Sequence, residues 1–105
     1  MPGIDLNYFI RQANKLSEKI EQRKKELADE TMEGRAGDGR VVAVVNGAGE
    51  VKSIKIDPGA VDPSDPAMLE DLVTAAVNAA LAQSRERVQS ELSKISGGIK
   101  IPGLT

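Results

Sequence analysis

Val41-Val42-Ala43-Val44-Val45 restricts the fold more than any other stretch of this sequence. Five consecutive apolar residues, most of them β-branched, read as a strand. A strand with one face in water alternates between apolar and polar residues. This one does not alternate, so both of its faces require cover. Helices from one short chain readily cover only one side of a sheet. The pattern therefore predicts a second layer from outside the chain, most simply a second copy.

The neighbouring residues place this strand in the middle of a three-stranded antiparallel meander over residues 30–58. Thr31 to Arg35 reads as a weak first strand and Ala36-Gly37-Asp38-Gly39 as a turn. Arg40 to Val45 is the central strand. Asn46-Gly47-Ala48-Gly49 contains Asn-Gly, a hairpin signal. Glu50 to Ile56 alternates, with Lys52, Ile54 and Ile56 on one face and Val51, Ser53 and Lys55 on the other. Asp57-Pro58 ends the strand.

On both sides of the meander the period becomes helical. Leu6, Phe9, Ala13, Leu16, Ile20, Arg23 and Leu27 recur at spacings of three and four, which predicts a first helix from near Asp5 to about Asp29, within residues 1–29. Asp5 or Asn7 can cap it. Arg23 interrupts the apolar stripe, so the stripe is not a continuous coiled-coil seam. Such a helix is roughly 37 Å long at 1.5 Å per residue, longer than the sheet, so one end should project. A second helix is predicted over 64–96, with Ser64 or Asp65 as N-cap and Pro66 in its first turn. Leu69, Leu72, Val73, Ala76, Val77, Ala80, Leu81, Ser84, Val88, Leu92 and Ile95 mark its buried side. Gly97-Gly98 ends it, and 97–105 reads as a flexible tail. The fold class is α+β in the order α-β-β-β-α, one domain over 1–105, with the sheet completed or covered by dimerisation.

The chain has 105 residues, with no Cys, His or Trp, one Tyr and one Phe. Its single core must be built from small aliphatics, which makes sharing it with a second copy attractive. Without Cys and His there is no thiol nucleophile, no imidazole acid–base chemistry and no His or Cys metal site. Ser84 and Ser90 have no His to activate them. Asp57, Asp62 and Asp65 do not have calcium-loop spacing, and turn and capping duties explain them. The Gly-rich turns are not followed by helices and so lack the context of a phosphate-cradling loop. No enzyme, cofactor, metal or small-molecule substrate is expected. No stretch looks like a signal peptide or a membrane span, so the expected location is the cytosol.

Net charge is −2, yet the charge is polarised. Arg11, Lys15, Lys19, Arg23, Lys24 and Lys25 oppose only Glu18 and Glu21 between residues 11 and 25. Asp57, Asp62, Asp65, Glu70 and Asp71 have no base among them. Arg11, Lys15 and Lys19, four apart, form one ridge on the first helix beside its apolar stripe. Arg85, Arg87, Lys94 and Lys100 lie toward the end of the second helix and the tail. Antiparallel helices would bring both sets to one end, suited to phosphates along a groove. With so few aromatics, base stacking on single strands is not supported, which leaves duplex DNA contacted through its backbone. A protein-interaction adaptor that docks through its exposed helix ridges is the alternative, favoured by the thin Ala-rich side of the second helix and the acidic 57–71 region.

Three ordered stretches resemble the YbaB/EbfC family of bacterial nucleoid-associated proteins. Asn46-Gly47-Ala48-Gly49-Glu50-Val51-Lys52-Ser53-Ile54-Lys55-Ile56-Asp57-Pro58 looks like its central hairpin. The run from Leu69 to Ala80 looks like the start of its second long helix, and Gly97-Gly98-Ile99-Lys100-Ile101-Pro102-Gly103-Leu104 is similar to its C-terminal signature. The resemblance implies a homodimer whose sheets join the core and whose long helices project in pairs. It also implies DNA binding with little or modest sequence preference, a cytoplasmic or nucleoid location, and no catalysis. Carried to the matching regions, the DNA contacts are Arg11, Lys15, Lys19, Arg85, Arg87 and Lys94. The chain departs from the family in lacking a Met- and Gln-rich run in its first helix and in being slightly acidic.

Overall fold

The computed structural model describes residues 5–97. The elements follow in the order α1 (Leu6–Ala28), β1 (Thr31–Ala36), β2 (Val41–Asn46), β3 (Val51–Ile56), a single 3-10 turn (Pro58–Ala60) and α2 (Pro66–Ile95). The strands form one antiparallel sheet in the order β1-β2-β3. This is the predicted α-β-β-β-α arrangement. Of the expected flexible tail, only Gly97 falls among the described residues.

Each boundary has a local cause. The Asp5 carboxylate accepts from Tyr8 N at 3.2 Å and caps α1; Asp65 does the same for Met68 N at 3.2 Å and caps α2, with Pro66 in its first turn. Asp62 accepts from Ser64 N and Oγ, and Asp57 from Gly59 N. The three aspartates of the connector thus all shape turns or caps. The β2–β3 turn is braced by Asn46, whose Oδ1 accepts from Ala48 N and Glu50 N, both at 3.0 Å. Gly49, at φ 79, takes the left-handed position of a three-residue loop. The Asn-Gly pair therefore acts differently from its usual place in a two-residue turn: Asn46 is the last residue of β2. Gly47 is required for a close approach, since a Cβ there would lie 2.1 Å from Leu27 O.

The core lies between α2 and one sheet face. Val41, Ala43 and Val45 of β2 pack on Ala76 and Ala80, with Met32 and Ala36 of β1 beside them. Gly34 pairs with Ala43 on that face, and there α2 comes nearest: a Cβ on Gly34 would lie 2.2 Å from both Ala76 O and Ala80 N. Small side chains on both elements let the backbones meet. Ser84, one turn further on, donates from Oγ to Asn46 O at 2.8 Å. Ala76, Ala80, Ser84 and Glu91 are the buried residues of α2; the larger residues assigned to this side from periodicity flank them half-buried.

α2 lies across β1 and β2 rather than over β3. All six residues of β3 are consequently exposed, and the predicted alternation is broken at Lys52: Val51 shares a face with Ile54 and Ile56 rather than with Ser53 and Lys55. Val45 pairs with Val51 and Val44 with Ser53, so Lys52 is a bulge residue. Val42 and Val44, on the sheet face away from α2, are half-buried. Within one chain a single face has a helix layer.

α1 runs antiparallel to the C-terminal part of α2 and meets the rest of the fold through its own C-terminal half. Of its apolar stripe only Leu27 is buried; Leu16 and Ile20 are half-buried, while Leu6 and Phe9 are 69% and 56% exposed. The stripe therefore does not serve the chain's own core along its length. The described residues extend 78 × 23 × 16 Å with a radius of gyration of 20.3 Å, well above the ~13 Å of a compact 100-residue domain. α1 is an arm.

Replacing Gly34 by Ala forces a methyl group into the α2 backbone. Gly34→Ala should lower the unfolding free energy by at least ~2 kcal/mol, measured by urea unfolding. Gly49→Ala, with open space around its Cβ position, should cost less, through its positive φ alone.

Candidate nucleic-acid interface

The six basic residues singled out from the sequence fall into three places. Arg11, Lys15 and Lys19 are exposed along α1, outward of Arg23, and form no salt bridge among the described residues. They span about 12 Å of helix. Lys15 and Lys19 also line an open groove between α1 and Ile95, near the end of α2, with Glu18, Gln22, Arg23 and Glu26.

Arg85 lies elsewhere. It borders a groove between α2 and the β2–β3 turn, with Gly47, Ala48, Gly49, Leu81 and Val88. Residues two apart on a helix are separated by about 200° of rotation, so Arg85 and Arg87 cannot share a patch. Arg87 instead turns toward the α1–β1 elbow, where its Nε donates to Glu30 Oε1 at 3.1 Å. Lys94 lies with its Nζ 2.5 Å from Glu91 Oε2.

The residue that organises this region is Glu91, which periodicity had not marked. It is 8% exposed. Its Oε1 accepts from Arg23 Nη2, across from α1, and lies 3.5 Å from Arg87 Nη1. Its Oε2 is buried without a well-angled hydrogen bond and has Lys94 as its ionic partner. Arg23 also donates to Glu26 at 3.0 Å and lies 3.7 Å from Glu30. Three bases and three carboxylates thus close on one another where the arm joins the body. The signal was present in the sequence: Arg23 breaks the apolar stripe of α1, and Glu91 falls seven residues after Ser84 on the buried side of α2.

The Glu91 carboxyl is held down at about 2, far below its usual 4.5, by Lys94 first and then by the hydrogen bond from Arg23; the field of Arg87 adds to this and desolvation opposes it. The same contact, with that of Glu26, raises the Arg23 guanidinium above its usual value. Glu91 is therefore ionised throughout the neutral range.

The model of the YbaB/EbfC DNA-binding family matches residues 1–99. A nucleoid-associated protein of Myxococcus xanthus is 70% identical over 105 residues, covering both chains completely. The chain belongs to the YbaB/EbfC DNA-binding family. Further members named nucleoid-associated proteins include one from Anaeromyxobacter dehalogenans, 46% identical over 96% of this chain and 98% of its own. Another, from Thermoanaerobacter pseudethanolicus, is 48% identical over 97% and 92%. The crystal structure of an uncharacterized Helicobacter pylori protein superposes with a TM-score of 0.76 over 91% of this chain and all of its own, at 19% identity. That likeness is one of fold. These YbaB/EbfC relatives are nucleoid-associated proteins by name, and none of the names is that of an enzyme. Among the described residues no helix is long and apolar enough to cross a membrane.

Because the carboxyl of Glu91 is lowered on folding, its ionic contribution to stability is complete above about pH 4.5 and fades as pH falls toward about 2. Glu91→Gln should therefore be less stable than the parent at pH 7, with the difference shrinking across that window. Chemical unfolding at a series of pH values measures it.

Proposed function

We propose that this YbaB/EbfC protein binds duplex DNA as a homodimer, chiefly through phosphates and with little sequence preference, as part of the bacterial nucleoid within the cytoplasm. The observation that carries this is the arm: Arg11, Lys15 and Lys19 stand exposed along a projecting helix with no carboxylate partner among the described residues. A ridge of cations on a helix can follow a phosphate backbone but reads no base by itself. Its counter-ion term can outweigh a net charge of −2, because screening limits repulsion from the distant acidic connector. Arg85 supplies a separate contact. Arg87 and Lys94 are left outside this face, since carboxylates already hold them.

The second copy is supported by exposed apolar side chains on the edge strand and the turn after it. Val51, Ile54 and Ile56 stand in water on a strand whose outer hydrogen-bonding edge is open, and Val61, after the 3-10 turn, is exposed with them. Monomeric proteins seldom leave such a group of apolar side chains in water. Light scattering should give twice the chain mass, and Ile54→Glu should return the single-chain mass; a parent protein at the single-chain mass overturns the dimer.

For DNA, gel shifts on unrelated duplexes should show similar affinities that fall steeply with salt. Arg11→Glu with Lys15→Glu should weaken binding at least about tenfold at moderate salt and leave the oligomer unchanged. Unaltered affinity rejects the arm as the DNA face. Leu6, Tyr8, Phe9 and Ile10, exposed at the arm tip, favour a second function, docking on a protein partner. One stoichiometric partner recovered after nuclease treatment, with no DNA shift, would select it.

A further inference from the structure

We propose that Glu91 is an internal counter-ion that withholds Arg23, Arg87 and Lys94 from DNA and so sets where the DNA-contacting surface of the arm ends. The inference rests on the duplex-DNA function above and concerns the regulation of that face. Arg23, Arg87 and Lys94 are matched in number by Glu26, Glu30 and Glu91, and every base of the set touches Glu91. This cluster at the foot of the arm is thus electrically neutral, while Arg11, Lys15 and Lys19 further out have no salt-bridge partner among the described residues.

Burial makes this neutrality durable. Glu26 and Glu30 are 48% and 36% exposed at their side chains, whereas Glu91 is 10%. A phosphate can compete for a cation whose carboxylate partner is then rehydrated. It competes poorly when that carboxylate would be left buried and unpaired. Glu91 also offers the chemistry that a phosphate would offer: anionic oxygens accepting from guanidinium and ammonium groups. Lys94 shows the consequence most clearly. Its side chain is 69% exposed and so physically accessible to DNA, yet its Nζ lies 2.5 Å from Glu91 Oε2. Exposure alone would class it with Lys15; its counter-ion does not.

The difference is measurable because the salt dependence of binding counts released counter-ions. Each phosphate contact contributes about 0.9 to the slope of log K against log salt on duplex DNA. A base already neutralised within the protein contributes nothing. The full-length chain is titrated with one duplex across a salt series as the parent, Lys15→Gln, Lys94→Gln, Glu91→Gln and Glu91→Gln/Lys94→Gln. Oligomer mass and helical circular dichroism are followed alongside.

Lys15→Gln should reduce the slope by about 0.9 for each arm engaged, and Lys94→Gln should leave it unchanged. Glu91→Gln should steepen the slope by about as much, and the added Lys94→Gln should abolish that gain. If Lys94→Gln lowers the slope as Lys15→Gln does, the counter-ion role is wrong while the arm remains the DNA face. If Lys15→Gln and Lys94→Gln are both without effect, the DNA face itself is wrong and the counter-ion role falls with it. Should Glu91→Gln fail to fold, the comparison of Lys15→Gln with Lys94→Gln decides alone, since both side chains are exposed.

Discussion

The near contact between the backbone of α2 and Gly34 is the constraint on which the rest of the molecule depends. A helix normally stands off a sheet by the length of its side chains. Here the facing positions are Gly34, Ala43, Ala76 and Ala80, and the two backbones nearly touch. The gain is dense packing from a sequence with few bulky residues; each fully buried valine, such as Val41 or Val45, contributes about 1.5–3 kcal/mol. The consequence is a narrow interface. α2 seats on β1 and β2 and cannot reach β3, so the apolar side chains of β3 stay in water.

The arm is fastened by two very different contacts. At its C-terminal end Leu27 is buried, its backbone pressed against Gly47, and Gly47 N donates to Glu30 O at 3.2 Å. This contact is steric and fixes position. One turn earlier Arg23 reaches Glu91, and that contact fixes direction by joining α1 to α2. Exposed ion pairs stabilise little, but breaking a buried one is costly because it leaves a charge unpaired. Glu91 is the buried member. It also has two cations, Arg87 and Lys94, on its own helix. The direction of the arm and the distribution of charge along it thus depend on one carboxylate.

Helical period, β-branched runs, capping residues and the turns located both helices and all three strands to within about two residues, because these signals are local; the 3-10 turn at Pro58–Ala60 was not among them. The order α-β-β-β-α and the antiparallel meander followed from them. The Arg11–Lys15–Lys19 ridge was legible for the same reason: residues four apart on a helix share a face wherever the helix lies. The absence of His and Cys removed whole classes of chemistry without reference to any fold.

What periodicity could not supply is which of two chemically similar groups is free. Lys15 and Lys94 read alike in the sequence, and Arg85 and Arg87 are near neighbours there. Tertiary structure separates them: it brings Glu30 onto Arg87, and it buries Glu91 against Arg23, so that the helix neighbours Arg87 and Lys94 pair with a carboxylate removed from water while Lys15 is left alone. Likewise the stripe from Leu6 to Ile20 announces an amphipathic helix but not what lies against it. The amino-acid sequence determined the elements, their order and the sign of charge each face carries, since all of these arise within a few residues. Only the tertiary structure decided which cations are neutralised and which apolar faces remain bare, since ion pairing and burial depend on distances between residues as far apart as Arg23 and Glu91.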